Sequence, residues 1–282
     1  MNIAIKLGSL EELELLSYYK GPFKYYELPA KMLTEQSLIK ELLSNGFKFN
    51  IHGITMHTDK TTVLAVEGSC HYLRLCKETG CLNFILHGLV IEDFTQANNA
   101  ELLSLVTKTL NTINKYALKL GIECFLENGC YIRSDSKQFL EIPSRPSSHL
   151  KIARELGTCV VLDLGHAAVS AKWYGETLND FLLPYAQNTK PPDIIHFSDN
   201  FQESDEHLAI GDGAADTRDF YRAIELWPNA LMTVENYPDR IHKTLNWLIE
   251  HERSAYRKSD VEDLCTVMGW AFEKATSNES RR

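Results

Sequence analysis

VVLDLGH, residues 160–166, is an apolar run that breaks off at the carboxylate of Asp163 and reaches an imidazole, His166, three positions later. It reads as a buried strand, Val160–Leu164, that ends in groups able to hold a cation. The same grammar recurs on either side of it. Lys48–His52, Asn83–His87, Glu123–Glu127, Asp193–Phe197 and Met232–Asn236 stay largely apolar until His52, His87, Glu127, His196 and Glu235 close or nearly close them. With Ile3–Leu7 and Lys24–Leu28, eight strands are predicted. Their apolar character along most of each run is what coverage on both faces requires of a parallel sheet.

Between the strands the short apolar runs give way to longer amphipathic stretches of helical period. Helices are expected at Glu12–Tyr18, Glu35–Leu43, Leu150–Leu156, Leu178–Gln187, Arg218–Leu226 and Arg240–Glu250. The longest is Ala100–Leu120, with Leu102, Leu103, Val106, Leu110 and Ile113 on one stripe. Alternation of this kind predicts an α/β fold, a single (β/α)8 TIM barrel over residues 1–275. Val261–Thr276 reads as an extra C-terminal helix, and 276–282 as a disordered tail. The long connections, roughly 53–65, 128–147 and 198–217, all follow strand C-termini, the end at which barrels of this class build their sites.

The bulk composition narrows the partners. The chain has 282 residues, 44% hydrophobic and 24% charged, with a formal net charge of −9. An acidic surface offers phosphate backbones no general attraction, so a nucleic-acid partner would need a local cationic patch. Seven cysteines (70, 76, 81, 124, 130, 159, 265) form no CxxC pair and read as small buried hydrophobes. With no signal-like apolar segment and no run approaching a membrane span, a cytoplasmic protein without membrane contact is expected.

A lone histidine at a strand end is more often a satisfied polar residue than a ligand. Repetition reverses that reading. His52 and His87 are each followed by glycine, which lets the backbone turn closely around a bound group. Glu127 and Glu235 finish buried strands and need a cation or donors to offset their burial. Asp163 has an alternative role as a helix N-cap. Asp205 and His207 sit at i and i+2 of an extended loop, just before the tight turn Gly211-Asp212-Gly213. Asp199 and Asp212 are expected to orient imidazoles or that loop, while His57, His71, His149, His242 and His251 read as surface or loop residues.

Taken in order, His52, His87, Glu127, Asp163, His166, His196, Asp205, His207 and Glu235 resemble the trinuclear zinc site of endonuclease IV. That enzyme represents AP endonuclease family 2, within the xylose isomerase-like barrel superfamily. The resemblance implies up to three divalent ions, zinc with Mn or Fe accepted by the same donors. One ion would take His52, His87 and Glu127. A second would take Glu127, Asp163, His196 and Glu235, and a third His166, Asp205 and His207. It implies hydrolysis of a phosphoester, with Glu127 and Glu235 beside the attacking hydroxide and abasic DNA or a small phosphorylated molecule as substrate. The early strands depart from that family. Its strand-one His-Val-Ser run is replaced by Lys6-Leu-Gly-Ser, and the loops lack its expected tyrosine, arginine and glutamine.

His196-Phe-Ser-Asp-Asn200 and Asp205-Glu-His-Leu-Ala-Ile-Gly-Asp-Gly213 also resemble sugar or sugar-phosphate isomerases and epimerases of the same superfamily. There, one divalent ion is held by residues matching Glu127, Asp163, His196 and Glu235. The two glutamates then transfer a proton at the carbon beside a carbonyl, and the substrate is a sugar.

Overall fold

The computed structural model describes residues 2–57, 62–92, 100–134, 137–251 and 256–270. In chain order its strands are β1 (Asn2–Lys6), β2 (Tyr25–Pro29), β3 (Lys48–His52), β4 (Met56–His57), β5 (Asn83–Leu86) and β6 (Leu89–Ile91). They continue with β7 (Glu123–Glu127), β8 (Tyr131–Ser134), β9 (Lys137–Ile142), β10 (Cys159–Asp163), β11 (Ile194–Phe197) and β12 (Leu231–Val234). Eight of them close a parallel barrel in the order β1-β12-β11-β10-β7-β5-β3-β2. All eight predicted strands are present, within two residues of their expected ends.

The helices are α1 (Leu10–Leu15), α2 (Gln36–Ser44), α3 (Thr62–Thr79), α4 (Ala100–Leu120) and α5 (Pro146–Leu156). After them come α6 (Leu164–Tyr174), α7 (Leu178–Ala186), α8 (Thr217–Leu226), α9 (Ile241–His251) and α10 (Lys258–Met268). Local chemistry sets several of their ends. Ser9 and Glu12 form a capping box on α1, and Glu12 also accepts from Trp270 Nε1 at 2.8 Å, tying the first helix to the segment after α10. α5 starts on Pro146 and ends on Gly157 at φ +68°. The extra C-terminal helix is α10, which stops at Gly269 (φ +64°), shorter than Val261–Thr276 suggests. The predicted tail and the end of that helix lie outside the described residues.

Two helices and a sheet were not expected. α6 is buried from Leu164 through Ala171, so it has no polar face and no helical stripe to read. α3 carries Gly68-Ser69-Cys70 at its centre, residues of modest helix propensity that dilute the pattern. The second sheet, β4-β6-β9-β8, grows from segments that follow β3, β5 and β7 directly, so it stands at the C-terminal rim. Its β8–β9 and β6–β9 pairs are antiparallel.

Alternation along each barrel strand sends every second side chain into the lumen. Ile85, Phe125, Val161 and Ile194 pack there as a closed apolar layer, with Leu231 against them. Burying each such side chain is worth about 1.5–3 kcal/mol. Two positions further along the same faces come His87, Glu127, Asp163 and His196. The lumen therefore has an oily floor and, one layer up, a polar ring at the mouth.

Candidate metal centre

Register fixes which polar groups become neighbours. Asp163 on β10 pairs with His196 on β11, and Lys6 on β1 pairs with Glu27 on β2. Glu127, Asp163 and His196 are at most 1% exposed, Glu235 5% and His87 5%. Among the described residues, three groups have ligand atoms all within 4.8 Å of one another: His52–His87–Glu127, Glu127–Asp163–His196–Glu235, and Glu27–His52–Glu235. The first two are the sets expected for two of the three ions.

The remaining set is looser. His166 Nε2 and His207 Nε2 both approach Asp205 Oδ2, at 3.4 and 2.9 Å. His166, Asp205 and His207 do not form one of the close groups found among the described residues. His207 is held at φ +50°, a left-handed conformation unusual for a residue with a Cβ, and its Nδ1 donates to the Glu235 carbonyl at 2.9 Å.

Each ring is oriented from behind. His52 Nδ1 donates to Glu27 Oε1 at 2.7 Å, His87 Nδ1 to Glu141 Oε1 at 3.1 Å, and His166 Nδ1 to the Asn128 carbonyl at 2.8 Å. His196 turns the other edge, with Nε2 3.0 Å from Glu27 Oε2. The opposite nitrogen of each ring then faces the cavity as a potential ligand. His149 shows the contrast. It is fully buried in α5, with Nδ1 on Tyr185 Oη (2.8 Å) and Nε2 on the Leu126 carbonyl (2.9 Å), so neither nitrogen is left for a ligand.

His149 and His242 are thus core residues, not the surface or loop histidines expected from their positions. The side chain of His57 lies outside the described residues. Asp199 holds the loop and no imidazole: its carboxylate accepts from the backbone N–H groups of Asn200, Gly211, Gly213 and Ala215. Asp212 pairs with Lys243 at 3.1 Å on the surface. Asp163 does cap α6, accepting from His166 N at 2.6 Å through Oδ1, and so leaves Oδ2 for the cavity.

The glycines after His52 and His87 answer to neighbouring backbone. A Cβ on Gly53 would meet the Ile85 carbonyl oxygen at 2.4 Å, and one on Gly88 the Ile142 carbonyl oxygen at 1.7 Å. Their expected role around a bound group is therefore replaced by close approach of adjacent chain segments.

Both Glu127 oxygens, Asp163 Oδ2, Glu235 Oε2 and Asp205 Oδ1 are buried without a hydrogen-bond partner. Orphaned acceptors at this density are costly unless a cation satisfies them. The donor set fits a divalent ion in number, type and direction.

The electrostatics point the same way. Burial alone would lower the basicity of His87, His166 and His196. The carboxylates around them prevail, holding His87 above its ordinary range and His166 and His196 well above it. Glu127 is the mirror case: burial pushes its carboxyl up, but His87 and His196 hold it well below the usual carboxylate range. His52 falls to about 4, through burial first and then the charges of Lys6 and His87. In the metal-free protein, protons supply the positive charge that the carboxylates demand.

Three members of the site were not singled out from the sequence. Lys6 donates to His52 Nε2 at 3.2 Å and to Glu235 Oε1. Lys6 ends an apolar strand like the others, so that signal was present. Glu27 stands inside β2, two residues before its end, and Glu141 comes from the second sheet; neither position marks itself in a linear reading.

No protein-family model matches the chain. No curated protein matches it. Solved structures do. The fold is similar to that of a D-tagatose 3-epimerase-like protein (TM-score 0.67, 18% identity, over 89% of this chain and 97% of that one). It is also similar to a protein from Thermus thermophilus soaked with ZnCl2 (TM-score 0.60, 16% identity, 91% and 99%). The 3-keto-D-glucoside 4-epimerase YcjR from E. coli, in its apo form, gives a TM-score of 0.60 at 14% identity over 95% and 99%. The fold of this chain, a closed (β/α)8 TIM barrel, is the one these structures share. Among the described residues no helix is long and apolar enough to cross a membrane.

Proposed function

We propose that this protein is a divalent-cation-dependent isomerase or epimerase acting on a sugar or sugar phosphate. The observation that carries the reading is the Glu127–Asp163–His196–Glu235 group. Glu235 Oε2 and Glu127 Oε1 both approach His196 Nδ1, at 2.8 and 3.4 Å. Two buried carboxylates that meet one imidazole at the barrel mouth suit proton transfer on both faces of a substrate carbon. The names of the similar structures, tagatose and glucoside epimerases, support the same chemistry.

A divalent ion held by Glu127, Asp163, His196 and Glu235 would supply the charge that polarises the substrate carbonyl. Glu127, entering ionised, takes the proton from the neighbouring carbon; Glu235, entering protonated, gives one to the opposite face, and exchange with solvent restores both carboxyls. The carbon inverts and no net proton is consumed. A cavity of about 160 Å³ opens beside Glu235, walled by Lys6, Leu7, Pro29, His207 and Tyr237, and is the place for the substrate. Phosphoester hydrolysis at three ions draws less support, because its third set, His166, Asp205 and His207, is not drawn into one close group.

The test is solvent exchange. Incubated with Mn²⁺ and a panel of ketoses and ketose phosphates in D₂O, the protein is expected to place deuterium on the carbon beside the carbonyl of one of them. Turnover of abasic DNA or a phosphodiester, with no exchange into any sugar, would reverse the conclusion.

A further inference from the structure

One of the three close donor groups already contains a cation. Glu27, His52 and Glu235 bring their ligand atoms within 4.8 Å of one another, and the Lys6 ammonium reaches into that group. It lies 3.2 Å from His52 Nε2 and 4.0 Å from Glu27 Oε1, and donates to Glu235 Oε1. We propose that Lys6 is a tethered cation seated in the Glu27–His52–Glu235 group, where it takes the place of a divalent ion.

Lone-pair accounting extends the argument. His52 Nδ1 donates its proton to Glu27, so Nε2 carries the ring's single lone pair. His87 is arranged likewise through Glu141, and its Nε2 lies 2.7 Å from His52 Nε2. That contact is a hydrogen bond when one of the two nitrogens carries a proton, and it too converges on the His52 lone pair. An ion at His52–His87–Glu127 would draw on the same His52 lone pair that receives the Lys6 N–H. One lone pair serves one cation, so the seated lysine and that ion exclude each other.

The Glu127–Asp163–His196–Glu235 group has no such conflict. It shares only Glu235 with Lys6, and Glu235 has two oxygens: Oε1 takes the lysine and Oε2 faces His196. Lys6 and an ion in that group coexist. The chain therefore holds one ion where its donors would otherwise accommodate a second, as the isomerase reading requires. The inference rests on that reading only for the ion it retains.

Metal counting tests it without any turnover. Chelator-stripped protein is dialysed to equilibrium against Mn²⁺ alone, and bound metal is measured per chain. Wild type is expected to hold one tightly bound ion, Lys6→Met two, and Lys6→Arg one. Lys6→Met/His52→Ala is expected to return to one, because both groups that Lys6 blocks need His52. Should Lys6→Met not fold, Lys6→Gln, which keeps a polar end of similar length, carries the same expectation of two. An equal count in wild type and the Lys6→Met and Lys6→Gln variants overturns the role given to Lys6. If that shared count is one, the metal-dependent isomerase reading stands; if it is zero, that reading falls as well. A wild-type count of two or more also overturns the proposal.

Discussion

Glu27→Gln removes one negative charge and no volume from the back of the metal centre. Glu27 is fully buried, accepts from His52 Nδ1 at 2.7 Å and lies 3.0 Å from His196 Nε2. The glutamine amide offers an acceptor to one of these rings and turns an N–H toward the other. A hydrogen bond to a charged group contributes about 1.5–3 kcal/mol, and one such contact is lost. Replacing a partner that orients a ligand histidine typically weakens metal binding 10–100-fold, or roughly 1.4–2.7 kcal/mol. The assay is competition for Mn²⁺ against a chelator of known affinity, with circular dichroism to verify the fold. An affinity within twofold of wild type, in a folded variant, would show that Glu27 does not position His52 and His196.

Glu127→Gln and Glu235→Gln should each slow solvent exchange into the sugar by about 10²–10⁴-fold, the usual weight of a general acid or base, with the barrel still folded. Near-wild-type exchange in either would remove that residue from the proton transfer. Metal loading should release a proton at neutral pH, because His196 holds its own well above the ordinary histidine range until a cation replaces it. Mn²⁺ affinity should thus weaken as pH falls, and calorimetry in buffers of different ionisation enthalpy reads the proton count directly. Stability of the metal-free protein runs the opposite way with pH. The contribution from His166 and His196 is complete below the ordinary histidine pKa and is lost as pH rises through their raised values. Gly88→Ala, whose Cβ would meet the Ile142 carbonyl oxygen at 1.7 Å, must push β9 and Glu141 away from His87. A loss of about 1–3 kcal/mol in denaturant unfolding is expected, with weaker metal binding.

The barrel was legible because its strands obey one rule. Apolar residues such as Ile85 and Val161 line the lumen floor, and the next residue on the same face, His87 or Asp163, meets the mouth. Reading only where apolar runs stop finds those side chains but cannot tell which face a residue inside the run occupies. Glu27 was overlooked for that reason: Leu28 and Pro29 follow it, and only the register that pairs it with Lys6 exposes its position. Glu141 could not be found by any rule about barrel strands, since it arrives from the second sheet. The buried helix α6 was lost because a helix covered on every side carries no amphipathic period. His149 and His242 teach the converse, that a histidine away from the strand ends can still be core.

Anomalous scattering from crystals soaked in Mn²⁺ would locate the ion itself. The strongest peak is expected among the side chains of Glu127, Asp163, His196 and Glu235, within about 2.0–2.3 Å of their oxygen and nitrogen atoms. Well-ordered side chains there with no peak between them, or a peak only at some other donor set, would contradict the account.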